Sequence, residues 1–136
     1  MEKLINKLGN EIINFSKENN LNLTETIEML DKISIYSLNS LVCESNDCKP
    51  GCKYVLKFEG YLEEYSNKKI AYSLERAANS AGNKSYMNAS DINLVIKDVE
   101  KNFTDRVVIK SSELRRWVKD SLDKNGFSFV KEKYAG

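Results

Sequence analysis

The chain has 136 residues, enough for one domain of ordinary size or two very small ones, and its 41% hydrophobic and 30% charged residues match a folded globular protein rather than a disordered one. With 21 Lys and Arg against 20 Asp and Glu, the net charge of +1 supplies no long-range field for nucleic acid or an acidic membrane, so any basic site must be local. The absence of His excludes a serine-hydrolase triad or a papain-like dyad in its usual form and removes the commonest zinc ligand.

Along the chain, the polar start Met1–Lys7 lacks the apolar core of a signal peptide. No apolar run is long enough to span a bilayer, so a cytoplasmic location with no membrane partner is expected. Leu4, Ile5, Leu8, Ile12 and Phe15 recur at helical spacing and predict a helix over about 1–20, ending at Asn19-Asn20. Thr24 is the expected N-cap of a second helix carrying Ile27, Leu30, Ile33, Leu38 and Leu41. Two such helices form a hairpin that cannot hide both apolar faces alone and must pack on the rest of the chain or on a second copy.

Turn chemistry then dominates, at Ser45-Asn46-Asp47 and at Lys49-Pro50-Gly51. Cys43, Cys48 and Cys52 lie in this stretch with C-x4-C-x3-C spacing. A zinc site usually takes a fourth His or Cys, so free thiols are expected and no metal site is assigned. Only Asp47 or a second subunit would complete a ligand set.

Beyond Cys52 the period changes. Tyr54–Phe58 and Tyr61–Tyr65 read as strands joined by a hairpin turn at Glu59-Gly60. Ser66 or Asn67 caps a helix to about Ser80, ended by Ala81-Gly82-Asn83. Ser90-Asp91 caps the next, with Ile92, Val95, Ile96, Val99 and Phe103 inward. Asp105–Ile109 reads as a short third strand. Ser111-Ser112-Glu113 opens a helix with Leu114, Trp117, Val118 and Leu122 inward, closed by Asn125-Gly126, and Phe127–Tyr134 forms a last short helix. Glu63 and Glu64, as neighbours on a strand, point to opposite faces and do not make a shared acid/base pair. No nucleophile and base converge anywhere, so no catalytic residue is assigned and no enzyme is expected.

Lys57 on the first strand and Lys69 in the first turn of the following helix are placed to bring two amines over one phosphate group beside a helix N-terminus. Glu63 and Ser66 lie between them as polar partners, and Ile70 and Tyr65 are placed to give a bound ligand an apolar wall.

The ungapped stretch Val55–Ile70, which contains Lys57, Glu59-Gly60 and Lys69-Ile70, is similar to the opening of the ATP-cone family. Asp91–Phe103 resembles that family's second helix, Val107–Leu114 its short strand and the capped start of its third helix, and Gly126–Tyr134 its closing helix. The resemblance covers roughly residues 52–136. It implies an α+β, mostly helical fold: an ATP-cone-like helical bundle capped by a small β-hairpin or three-stranded sheet and preceded by a helical hairpin. The expected domains are a helical hairpin at 1–42, a Cys-containing linker at 43–52 and a nucleotide-binding domain at 53–136. The resemblance implies a non-catalytic regulator that binds ATP or dATP with Mg2+, through Lys57, Glu63, Ser66, Lys69, Ile70, Ser111 and Arg115. Phe58 stands where the family usually has Arg, and Arg115 where it often has His. Lys131 or Lys133 is a partial stand-in for a further basic residue.

ATP-cones resembling this one accompany ribonucleotide reductases and the repressor of their genes. The 136 residues leave no room for a reductase barrel, so a separate regulator or a fragment is implied, with 1–42 as the surface for a protein partner or a homo-oligomer. Two alternatives stand beside this reading. One is a nucleotide-responsive DNA-binding regulator, disfavoured by acidic Glu25, Glu28 and Asp31 on the second helix. The other is a helical adaptor whose cone is degenerate, motivated by Phe58 and the short last helix.

Overall fold

The structure, a computed structural model, describes residues 1–45, 48–82 and 87–135. The turn at Asn46-Asp47, the Asp47 ligand option and Asn83 lie outside the described residues. Two compact units are present, Met1–Leu38 and Asn39–Gly136.

The first unit contains helix α1 (Glu2–Glu18) and most of helix α2 (Leu23–Glu44), whose remaining turns belong to the second. The chain reverses through Asn20, at φ +55°, and the Leu21 N–H donates to the Ser16 carbonyl at 2.9 Å. The start of α2 corrects the sequence expectation, because Asn22 and not Thr24 supplies the cap. Asn22 Oδ1 accepts from the Glu25 N–H at 2.8 Å while the Asn22 N–H donates to Glu25 Oε1 at 3.1 Å. This reciprocal pair satisfies two backbone donors that a helix start leaves open. The apolar stripe reads as expected, yet it is largely uncovered: Leu4, Ile5, Leu8, Ile27 and Ile33 are all exposed.

The second unit opens with strands β1 (Tyr54–Leu56) and β2 (Leu62–Glu64), paired antiparallel with Val55 opposite Glu63. Both are shorter than the sequence reading because Lys57 already belongs to the turn. The Gly60 N–H donates to the Lys57 carbonyl, and the Lys57 N–H to the Tyr61 carbonyl, each at 2.9 Å. Gly60 sits at φ +92°, a conformation that a Cβ disfavours.

Helices α3 (Asn67–Ala81) and α4 (Ala89–Glu100) follow, then strand β3 (Val108–Lys110), helix α5 (Ser111–Lys124) and helix α6 (Ser128–Lys133). The sheet order is β2-β1-β3, with β3 parallel to β1, so α3 and α4 form the crossover a parallel pair requires. Asn88, not Ser90-Asp91, caps α4: its Oδ1 accepts from the Asp91 N–H at 2.9 Å and its N–H donates to Asp91 Oδ2 at 3.0 Å. β3 begins three residues later than expected. A turn through Thr104, at φ +49°, closes with the Arg106 N–H on the Phe103 carbonyl at 3.0 Å and keeps Asp105 and Arg106 out of the sheet.

The core gathers Leu74 and Ala77 of α3, Val95 and Val99 of α4, Ile109 of β3, Val118 and Leu122 of α5, and Val130 of α6. Trp117 packs against this core beside Phe103, ring centroids 6.1 Å apart, with the Arg106 guanidinium 5.9 Å from its own centroid. It is partly buried and faces inward, as the helical spacing implied. Within this unit, Asn39 on the last turns of α2 holds the start of β3, its Oδ1 accepting from the Val107 and Val108 N–H groups at 2.6 and 2.9 Å.

Candidate functional site

A cleft of roughly 510 Å³ opens beside the hairpin, a size suited to a small organic ligand. Two features of the backbone make it a natural anion site. The first turn of α3 supplies Ser66, Lys68 and Lys69 to its wall, and the first turns of α5 supply Ser111, Leu114 and Arg115. Two helix starts thus present partial positive charge to one space. No loop separates β3 from α5, so Ser111 follows directly from the strand and the sheet fixes its position. Ser66 sits at the N-cap of α3 but makes no side-chain cap hydrogen bond there.

All seven residues expected from the sequence, Lys57, Glu63, Ser66, Lys69, Ile70, Ser111 and Arg115, line this cleft. The cleft is also lined by side chains to which the sequence analysis gave no binding role, among them Glu59, Glu64, Lys68, Tyr72, Ser73 and Tyr134. Lys68 was legible as the neighbour of Lys69, and Tyr72 as lying one turn further along the same helix. Tyr134 reaches the cleft only through the packing of α6 on α3, which no local pattern encodes. Neither Lys131 nor Lys133 lines the cleft, and Lys131 is ion-paired with Asp123.

The electrostatics are mixed. Lys57, Lys68, Lys69 and Arg115 face Glu59, Glu63 and Glu64 around one space, a local excess of one cation. Lys69 is ion-paired with Glu63, which is 26% exposed, while the lysine side chain is 69% exposed. With its lysine end in solvent, a pair of this kind contributes about 1 kcal/mol or less, so Lys69 is oriented without being committed. Glu64 is engaged elsewhere, 3.8 Å from Lys49 Nζ, so the two adjacent carboxylates keep separate partners.

The apolar wall contains Ile70, which is buried, with Tyr65 and Tyr134. The Tyr65 hydroxyl donates to Glu100 Oε2 at 3.1 Å, and its ring meets Phe103 edge-on at 4.9 Å. Burial, reinforced by the Glu100 carboxylate, pushes the Tyr65 phenol well above its usual range, so it stays neutral and donates. Burial also raises the Tyr134 phenol, and the charge of Arg115 opposes that shift.

Behind the cleft, Arg106 grips Glu113 with two hydrogen bonds, 3.2 and 2.6 Å, and Glu113 also accepts from the Lys110 N–H at 3.2 Å. Burial works to raise the Glu113 carboxyl, but Arg106 and the Lys110 amide together hold it below its usual value. A fixed carboxylate thus braces the helix start that carries Ser111 and Arg115.

Among the described residues no three His, Cys, Asp or Glu side chains group to hold a metal, the three cysteines are free, and no helix is long and apolar enough to cross a membrane. A search of curated proteins returned no match. The family model described as the ATP cone domain matches residues 53–134, well over half of the chain and the whole cleft. Domains of this type bind adenine nucleotides and serve allosteric regulation. The mostly helical unit with its small mixed sheet agrees with that match, and the chain belongs to the ATP-cone family.

Proposed function

We propose that the chain is a non-catalytic regulator that takes ATP or dATP into the cleft and passes the binding event to a protein partner or to its own assembly, in the control of ribonucleotide reduction. The observation that carries this reading is the meeting of Lys57, Lys69 and Arg115 around one cleft bounded by two helix starts. A triphosphate needs several cations and is favoured by the positive end of a helix dipole, and this wall offers both. In this reading Lys57 and Lys69 bind phosphate, Lys69 exchanging Glu63 for the ligand at small cost. Arg115 and Ser111 approach the nucleotide from α5. Glu63 and Ser66 hydrogen-bond the ribose or base, against the apolar surface of Ile70 and Tyr65. Mg2+ rides on the phosphates and needs only one or two carboxylates from the protein, for which Glu59 on the cleft lining is placed.

Regulation requires that the ligand bind one state of the chain better than another. Residues 1–42, with their uncovered apolar stripe, are the surface through which that difference would be read, and the setting is cytoplasmic. Isothermal titration with ATP, dATP and GTP in the presence of Mg2+ tests the reading. Binding of the adenine nucleotides is expected, weakened about tenfold or more in Lys57→Ala and in Lys69→Ala, as suits loss of a charge-assisted hydrogen bond. A flat trace for every nucleotide would instead support an adaptor with a degenerate cone. Ligand-dependent binding of a labelled duplex would support the DNA-binding alternative.

A further inference from the structure

The tip of the β1–β2 hairpin holds a feature that phosphate binding does not use. Phe58 lies in the turn between Lys57 and Gly60, lines the cleft and is 96% exposed. A phenyl ring left in water at the mouth of the cleft forgoes the favourable burial open to a side chain of its size. Tyr72, on the same lining and 62% exposed, makes the rim aromatic as well as cationic, with the Arg76 guanidinium 5.7 Å from its ring centroid.

A phenyl ring has nothing to offer a phosphate or a sugar hydroxyl. The one part of a nucleoside triphosphate that matches it is the flat π-face of the base. We infer that Phe58 is a cover for the nucleobase, closing from the hairpin tip over the face opposite the Ile70 and Tyr65 wall. This rests on the nucleotide reading above and deepens it. The two hydrogen bonds between Lys57 and residues 60–61 close the turn that carries both the ring and the phosphate-binding amine, so the two contacts form together. Stacking is tolerant of base identity, so Phe58 contributes affinity, while any preference for adenine arises deeper in the cleft.

The test is calorimetry with Mg-ATP on the full chain carrying Phe58→Ala or Phe58→Trp, joined to tryptophan fluorescence. The side chain is almost wholly exposed, so neither variant should alter the thermal melt. Phe58→Ala is expected to bind ATP about tenfold more weakly, the scale of one lost base–aromatic stack. Phe58→Trp should retain the affinity and show a quench of emission on ATP addition that the native chain, with Trp117 alone, does not show. If the native chain binds ATP and Phe58→Ala binds it equally well, or if Phe58→Trp at saturation shows no added quench, the cover is wrong and the nucleotide site stands. If the native chain binds no nucleotide, the site itself is wrong and the cover falls with it.

Discussion

Asp98 shows how one side chain can brace two elements. Its carboxylate accepts from Ser121 Oγ at 2.9 Å and from Asn125 Nδ2 at 3.0 Å, tying α4 to the end of α5, and its side chain is only 14% exposed. These two donors hold the carboxyl below its ordinary value despite the opposing effect of burial. Asp98→Ala should therefore cost about 1.5–3 kcal/mol in a urea titration at neutral pH, the range for hydrogen bonds to a charged group. The pH dependence has a definite sign. A folded value depressed below the unfolded one stabilises fully above about pH 4 and loses its effect as pH falls through the folded value. The difference between native chain and Asp98→Asn should accordingly shrink in urea titrations carried out at progressively lower pH. At the cleft, the Lys69–Glu63 pair, with its lysine end in solvent, leads to a different expectation. Glu63→Gln should change the melting temperature little, because such pairs contribute little, and on the proposed nucleotide reading it should tighten ATP binding in calorimetry by freeing Lys69.

Among the elements, β3 depends most on distant chain. Asn39→Ala removes the acceptor for the Val107 and Val108 N–H groups. A loss of about 1–3 kcal/mol is expected, the cost of stranding buried donors, with faster hydrogen exchange at those two amides as the direct readout. This contact also marks where the sequence stops being legible. Helical stripes such as Ile92, Val95, Ile96 and Val99 announce themselves, because burial on one side repeats every three to four residues and the core needs that face. The caps were read two residues late. Thr24 and Ser90 are good cap chemistry, but Asn22 and Asn88 each stand three residues before an acidic partner that can return the hydrogen bond. The parallel pairing of β3 with β1 and the reach of Asn39 across 68 residues are tertiary outcomes with no local signature. The cleft was legible for a related reason. Most of its named residues fall within the short span 57–70, where a hairpin feeds a helix, and only Ser111 and Arg115 had to be brought from afar.

For the whole molecule, the imbalance of burial between the units is the dominant fact. The second unit holds a contiguous core, whereas in the first Leu4, Ile5, Leu8, Leu23, Ile27 and Tyr36 are each more than half exposed. Two helices of this kind seldom stay alone in water, because helical stability comes mainly from packing an apolar face. On the reading that residues 1–42 form the assembly surface, Leu8→Glu combined with Ile27→Glu should lower the sedimentation coefficient of the full chain and, because coupling between ligand and assembly is reciprocal, shift its nucleotide affinity in calorimetry. The family match begins at residue 53, yet the structural division falls at Leu38, inside a continuous helix. A fragment cut to the family's boundary would thus discard Asn39 and leave the Val107 and Val108 amides without their acceptor. Cloning such a piece to study the cone in isolation would create a weakened version of it, and poor behaviour in that piece would reflect where the scissors fell, not how well the intact chain holds its ligand.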